Sequence, residues 1–297
     1  MVIIIVLHLE NNVVLLQYSF DLPIESGWHV MDCKIGKEIG SGGTSNVYEW
    51  GDNEVMVIKV YKPHVADDVI NNEMYIVELL NKHSLNIPKY IGSIDMDGKK
   101  ALIYQRINGE VLAEPLLNGE YDKALAYKFA RMHYDIHKKQ INELPSQYTF
   151  LKKRILDMEH ILGEKTTYLL NLLDEIPDEN QLCHGDYQPL NILQTDTDQY
   201  VVIDWNGACS GNPVLDVAWS YMTLSSPIIK CLLGDLVSEV FSYFAKDYLY
   251  YYCKLTGIEE NKILKCLPIV AARRLSDNYM HDNDNSRKEW EWLNGII

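Results

Sequence analysis

The sequence predicts an α+β protein: a small antiparallel sheet with one helix, followed by a larger and mainly helical region. Three observations predict it. Residues 33–63 alternate in the manner of strands around a glycine cluster. The segments IPKYIGSID and ALIYQRI flank Asp97-Gly98, a favoured two-residue hairpin turn. After Gly109 the apolar spacing becomes helical almost throughout.

The N-terminal run MVIIIVLHLENN is rich in valine and isoleucine and reads as a strand. It is too short to span a bilayer, and it lacks a basic leader and a small-residue cleavage site. Gly27-Trp28 must be encoded GGN-TGG, a G-rich stretch just ahead of Met31 that resembles a ribosome-binding site. Residues 1–30 are therefore expected to be an extension, with translation starting at Met31. Ile39, Val47 and then Val55, Val57 and Val60 mark three strands, with Gly51-Asp52-Asn53 as a turn. Val69, Met74, Val77, Leu79 and Leu80 follow helical spacing within 66–82. Leu125, Phe129, Met132 and Ile136 share one helical face, and 150–176 is helical too. QLC through NILQ and then YVVIDW are short apolar runs, with Asp196 and Asp198 in the turn between them. Residues 213–295 return to helices. The domains expected are 31–108 and 109–297.

Composition narrows the function. With 27 basic and 42 acidic side chains the formal charge is −15, which argues against a nucleic-acid binder. Cysteines stand at 33, 183, 209, 231, 253 and 266 with no C-x-x-C pair. They read as reduced thiols of a cytoplasmic protein rather than a zinc site.

Four segments carry chemistry. In IGSGGTSNVY, Gly40, Gly42 and Gly43 lie between two strands, where backbone N–H groups can approach a bulky anion. Lys59 is a cation inside the apolar strand VMVIKVY; Glu73 is its natural partner and Glu78 the alternative. CHGDYQPLNIL sets Asp186 and Asn191 five residues apart beside an apolar strand. Asp204 ends the strand VVID thirteen residues after Asn191 and offers oxygen to a hard cation such as magnesium. Taken singly, each has a bland reading as a turn or a solvated side chain. Their order is the parts list of a protein-kinase-like fold. Two departures narrow it. Ser45 stands where a protein kinase has its last loop glycine, and only eight residues separate Asp204 from Pro213. No activation segment fits there, so a small-molecule acceptor is expected and a protein substrate is not.

IGSGGTSNVY, VIKVY, HGDYQPLNIL, VVIDWNGA and GNPVLDVAW resemble the aminoglycoside phosphotransferase family, a branch of that fold, over residues 33–295. The resemblance implies a nucleotide-binding N-lobe and a catalytic, acceptor-binding C-lobe. Asp186 would orient the acceptor hydroxyl and accept its proton. Asn191 and Asp204 would hold Mg2+ against the nucleotide, which is ATP, with GTP open. Lys59 would contact the phosphates and be fixed by Glu73. Gly40, Ser41, Gly42, Gly43 and Thr44 would cover the phosphates. Backbone groups of Gln105 and Ile107 would meet adenine, with Tyr104 behind them. Asp216 would brace the catalytic loop, and His184 would support it. The acceptor stays open between an aminoglycoside and a metabolic alcohol such as choline, homoserine or thiamine; a catalytically silent nucleotide-binding module is the third reading. Asp277, Asp282, Asp284, Glu289 and Glu291 read either as a pocket for a polycation or as solvated carboxylates. DYLYYYCKL, with Trp290 and Trp292, reads either as an aromatic cage or as core packing.

Overall fold

A computed structural model of the chain describes residues 35–51, 55–96, 98–278 and 284–297, with two short strands at 6–9 and 12–15. Asp52 and Asn53, Asp97, Cys33, Met31 and Asp282 lie outside the described residues.

The strands are β1 (Val6–Leu9), β2 (Asn12–Leu15), β3 (Ile35–Ser41), β4 (Ser45–Trp50), β5 (Met56–Tyr61), β6 (Tyr90–Met96), β7 (Lys99–Gln105), β8 (Glu110–Val111), β9 (Gln181–Cys183), β10 (Ile192–Gln194), β11 (Tyr200–Val202) and β12 (Cys209–Gly211). The helices are α1 (Asp67–Leu80), α2 (Glu114–Leu117), α3 (Lys123–His137), α4 (Gln147–Asp157), α5 (Glu159–Leu162), α6 (Lys165–Asp174), α7 (Pro213–Leu224), α8 (Ile228–Thr256), α9 (Glu260–Leu264), α10 (Leu267–Asn278) and α11 (Asp284–Ile296). β1 is the strand expected of the valine- and isoleucine-rich run, and it pairs antiparallel with β2, which the sequence reading did not foresee. Five strands make an antiparallel sheet in the order β3-β4-β5-β7-β6. Smaller sheets join β11-β10-β8 and β12-β9.

The chain divides into two units: residues up to Glu110 together with Leu193–Asn206, and Val111–Ile192 together with Gly207–Ile297. The return of Leu193–Asn206 to the first unit is invisible to a linear division at 108. It places Asp204 in the same unit as Lys59.

In the first unit, the period of two in β5 sorts side chains onto opposite faces. Ile58 packs with Trp50, Met96, Ala101 and Ile103 on one face. Tyr61 joins Val65, Leu102 and Ile70 of α1 on the other. Each such buried side chain stabilises the unit by about 1.5–3 kcal/mol relative to exposure. Lys59 shares the Tyr61 face, so the sheet turns its ammonium toward α1. The buried stripe of α1 is Ile70, Glu73, Ile76, Val77, Leu79 and Leu80, while Val69 is exposed and Met74 only partly covered. The helical spacing was legible; the stripe itself is rotated because a carboxylate, Glu73, belongs to it.

In the second unit α3 packs along α8. The α3 face that is buried consists of Ala126, Phe129, Ala130, His133, Ile136 and His137, so Leu125 and Met132 lie at its margin. Phe129 forms an aromatic cluster with Tyr187, Tyr248 and Phe244 at ring-centroid distances of 4.4, 4.8 and 5.2 Å. Among the described residues no helix is long and apolar enough to cross a membrane.

Candidate active site

Lys59 is held twice within the first unit. Its ammonium lies 2.7 Å from Glu73 Oε1 and 2.9 Å from Asp204 Oδ1. Burial would lower the Lys59 pKa, but the adjacent Asp204 and Glu73 carboxylates outweigh it and keep the amine charged. The Tyr104 hydroxyl donates to the same Glu73 oxygen at 3.1 Å. Glu78 is exposed on α1, so Glu73 is the partner. Asp204 sits in the left-handed region at φ 59°, a conformation that aspartate tolerates better than most residues and that clusters at functional sites. Its carboxylate is 36% exposed, against 4% for that of Glu73. Glu73 is therefore an internal strut, and Asp204 faces outward.

The glycine loop is the β3-β4 turn. Gly42 N–H donates to Ser45 O at 2.7 Å, and Ser41 Oγ donates to Asn46 Oδ1 at 2.9 Å. Gly43 and Thr44 complete the turn. A Cβ built on Gly40 or Gly42 would meet the chain only at 3.6 and 3.5 Å, ordinary van der Waals contact. Internal packing therefore does not require glycine at either position. Gln105 ends β7, with its N–H donating to Lys89 O at 2.8 Å; the next N–H, of Arg106, donates to Val55 O at 2.9 Å. Of the Gln105 and Ile107 backbone groups expected to meet adenine, the Gln105 N–H is thus already engaged.

The second unit carries the loop of Asp186 and Asn191. Asp186 is 4% exposed. Its Oδ2 accepts from Asn191 Nδ2 at 3.1 Å and Gln188 Nε2 at 3.0 Å, and its Oδ1 accepts from the Trp219 indole N–H at 3.1 Å. Asn191 Nδ2 also donates to the Asp186 carbonyl at 2.9 Å. The amide nitrogen of Asn191 is committed to Asp186, so its Oδ1 is the atom left to serve as a cation ligand. A carboxamide oxygen is a hard donor of the type magnesium takes, as is, in the first unit, the Asp204 carboxylate.

The loop hangs on Asp216 at the start of α7. Its two oxygens accept from the backbone N–H groups of His184 at 2.7 Å and Gly185 at 2.9 Å. His184 Nδ1 in turn accepts from Asp186 N at 3.2 Å, the supporting role expected of it. Gly185 has φ 79°, and a Cβ there would stand 2.2 Å from Gly207 O. Here glycine is obligatory. Behind Asp216, His133 and His137 Nε2 lie 3.1 and 3.3 Å from its Oδ2, and their Nδ1 atoms each lie 2.7 Å from the hydroxyls of Tyr248 and Tyr252. Burial and the neighbouring His137 push His133 down to about 3, so it is neutral at pH 7. Burial would raise the Asp216 carboxyl, but hydrogen bonds from His133 and His137 hold it well below the usual range.

Sequence reasoning missed this network and also Trp219, Gln188 and Arg273. Signals existed: His133 and His137 are one helical turn apart, and Trp219 follows Asp216 by three, on the same side of α7. Two tyrosines of the run pack in the core, as the packing reading expects, and they also make hydrogen bonds there. Tyr248 and Tyr252 are buried hydrogen-bond partners of histidines, while Tyr250 is exposed. Two members of the acidic set are internally paired: Asp277 lies 3.3 Å from Arg154 and 3.7 Å from Arg273, and Glu289 lies 3.2 Å from Arg274. Glu291 is exposed.

A sequence model of the Phosphotransferase enzyme family matches residues 36–236. No curated protein sequence matches the chain. Several solved structures are similar. The GDP and kanamycin complex of APH(2")-IIIa is 18% identical, with 91% of this chain and 94% of that chain covered and a TM-score of 0.57. A thermostable mutant of APH(4)-Ia with ADP and hygromycin B is 14% identical, with 88% and 90% covered and a TM-score of 0.60. The streptomycin-ATP complex of APH(2")-IIa is 19% identical, with 87% and 90% covered and a TM-score of 0.54. These likenesses show a shared protein-kinase-like fold, and with the family model matched across two thirds of its length this chain belongs to the phosphotransferase enzyme family.

Proposed function

We propose that the protein transfers the γ-phosphoryl group of ATP to a hydroxyl of a small molecule, with Asp186 as the catalytic carboxylate. The observation that carries this reading is the hydrogen-bonded loop of Asp186, Asn191 and Gln188. Phosphoryl transfer passes through a loose transition state, so positioning and charge neutralisation dominate over strong basicity. A carboxylate held by several donors meets that need, because it orients the acceptor hydroxyl and takes its proton late. Lys59 steadies the nucleotide phosphates, with Glu73 fixing its position. Gly40 to Thr44 cover the phosphates, and glycines that the chain's own packing does not demand let the backbone approach them without a side chain between, the Gly42 N–H itself being engaged by Ser45 O. The Gln105 carbonyl and the Ile107 N–H address the adenine edge. Asn191 and Asp204 are the residues that would hold Mg2+, which supplies charge neutralisation at the phosphates when bound. Solved relatives hold GDP in one case and ADP or ATP in others, so GTP is the alternative donor.

For the acceptor, the relatives bind kanamycin, hygromycin B and streptomycin, which supports an aminoglycoside. One observation favours a second reading. Asp277 and Glu289 are engaged by Arg154, Arg273 and Arg274, so they do not offer uncompensated charge to a polycation. An acceptor of low charge, a metabolic alcohol, fits that better. The described cysteines, all free, support a cytoplasmic setting. The test is ADP release from Mg-ATP against a panel of aminoglycosides, choline, homoserine and thiamine, with Asp186→Ala as the blank. Turnover equal in the parent and the blank would overturn the reading.

A further inference from the structure

We propose that Trp219 is a positioning residue for Asp186, with its indole locked in place by Arg273. This rests on the assignment of Asp186 as the catalytic carboxylate. Trp219 is 1% exposed on α7, and its N–H reaches Asp186 Oδ1 at 3.1 Å, on the opposite oxygen from Asn191 and Gln188. The carboxylate is therefore gripped at both ends, and rotation about its terminal torsion is blocked. An indole N–H is a donor and never an acceptor. It therefore offers the carboxyl group a proton and never a lone pair, and it strengthens as negative charge gathers on that oxygen.

The indole itself is fixed. The Arg273 guanidinium lies 3.6 Å from its ring centroid, a close cation–π stack, and Arg273 also covers Phe150 at 5.2 Å. Arg273 is 9% exposed and is steered by Asp277. A cation over the ring face also makes the N–H a better donor, because it draws electron density from the indole. A chain of contacts thus runs from α10 through α7 to the catalytic loop: Arg273 sets the ring plane, and the ring sets the carboxylate plane.

Two measurements test this. With 15N-tryptophan labelling, the six indole N–H cross-peaks are recorded in the parent, and Trp219 is identified by the peak lost in Trp219→Phe. In Asp186→Asn, which leaves Trp219 untouched, this peak is expected to move upfield while the others hold. Phosphoryl transfer from Mg-ATP to water is then timed. Trp219→Phe keeps the stack but not the donor, and kcat is expected to fall about 10-fold with the nucleotide KM unchanged. Arg273→Met should lower kcat by a smaller factor in the same manner. A Trp219 peak indifferent to Asp186→Asn, or an unchanged kcat in Trp219→Phe, would overturn the proposal. If Trp219→Phe does not fold, the Trp219 cross-peak is identified instead as the one that shifts in Arg273→Met, and that variant together with Asp186→Asn decides it. Parental turnover in Asp186→Asn would instead sink the catalytic assignment of Asp186, a result that leaves the cross-peak readout of the hydrogen bond intact.

Discussion

At the scale of single residues, the two buried charge clusters obey different rules. Lys59 and Glu73 form a buried ion pair, and removing one partner strands the other. Lys59→Met is expected to cost about 3–5 kcal/mol and to abolish turnover. Lys59→Met combined with Glu73→Leu should recover most of that stability and none of the activity. Urea unfolding of the two variants measures it; equal destabilisation in both would show that the pair is not what holds α1 to the sheet. The Asp216 cluster instead turns on the neutral His133. His133 is depressed to about 3 from 6.5, so between those values the unfolded chain binds a proton that the folded one refuses. Stability is therefore fully present above pH 6.5 and is lost on acidification, at up to about 1.4 kcal/mol per pH unit. The depressed Asp216 acts in the same direction, because its contribution is present above 3.8 and is lost as pH falls toward its folded value. Urea midpoints from pH 7 to 4 should slope steeply in the parent and less in His133→Gln. Parallel slopes would remove His133 from the account.

At the scale of elements, the catalytic loop is shaped by backbone constraints more than by side chains. Gly185 occupies φ 79° with no room for a methyl group against Gly207 O. Gly185→Ala should therefore displace the loop and reduce turnover at least tenfold, with a strain cost of about 1–3 kcal/mol. A variant that kept full activity would mean the loop has slack. The helix that carries Asp216 and Trp219 begins at Asn212, whose side chain accepts from Val214 N–H at 3.0 Å and donates to Pro177 O at 3.0 Å. Asn212→Ala is expected to lose about 1 kcal/mol of stability. Because the start of α7 also positions Asp216, its kcat should fall more than its nucleotide KM rises, as initial-rate kinetics would show.

For the whole molecule, ligand linkage gives the broadest check. Anything that binds the folded chain alone stabilises it, by about 2.7 kcal/mol at a hundredfold excess over Kd. Mg-ATP should therefore raise the melting temperature by several degrees, and chelation of magnesium should remove most of the rise. Asp204→Ala should blunt the magnesium-dependent part. A rise indifferent to both chelation and Asp204→Ala would mean that magnesium binds elsewhere.

The glycine loop, Lys59, the H-x-D-x-x-x-x-N segment and Asp204 were legible in order along the chain, because each depends on local residue type and spacing. The sheet-then-helix architecture was legible too, since periods of 2 and 3.6 are local properties. Glu73 stood out as the natural partner of Lys59, but excluding Glu78 needed the rotation of α1 against the sheet. The return of Leu193–Asn206 to the first unit was hidden, since contacts that far apart in sequence leave no periodic trace. The same holds for Trp219 on Asp186, the histidine pair behind Asp216 and the arginines that engage Asp277 and Glu289. By itself the sequence determined the fold class and the phosphotransferase family, and it supplied the residues on which the proposed chemistry rests. Only tertiary structure decided which partner holds each of those residues in place, because a buried polar group must find its hydrogen bonds wherever the fold brings them.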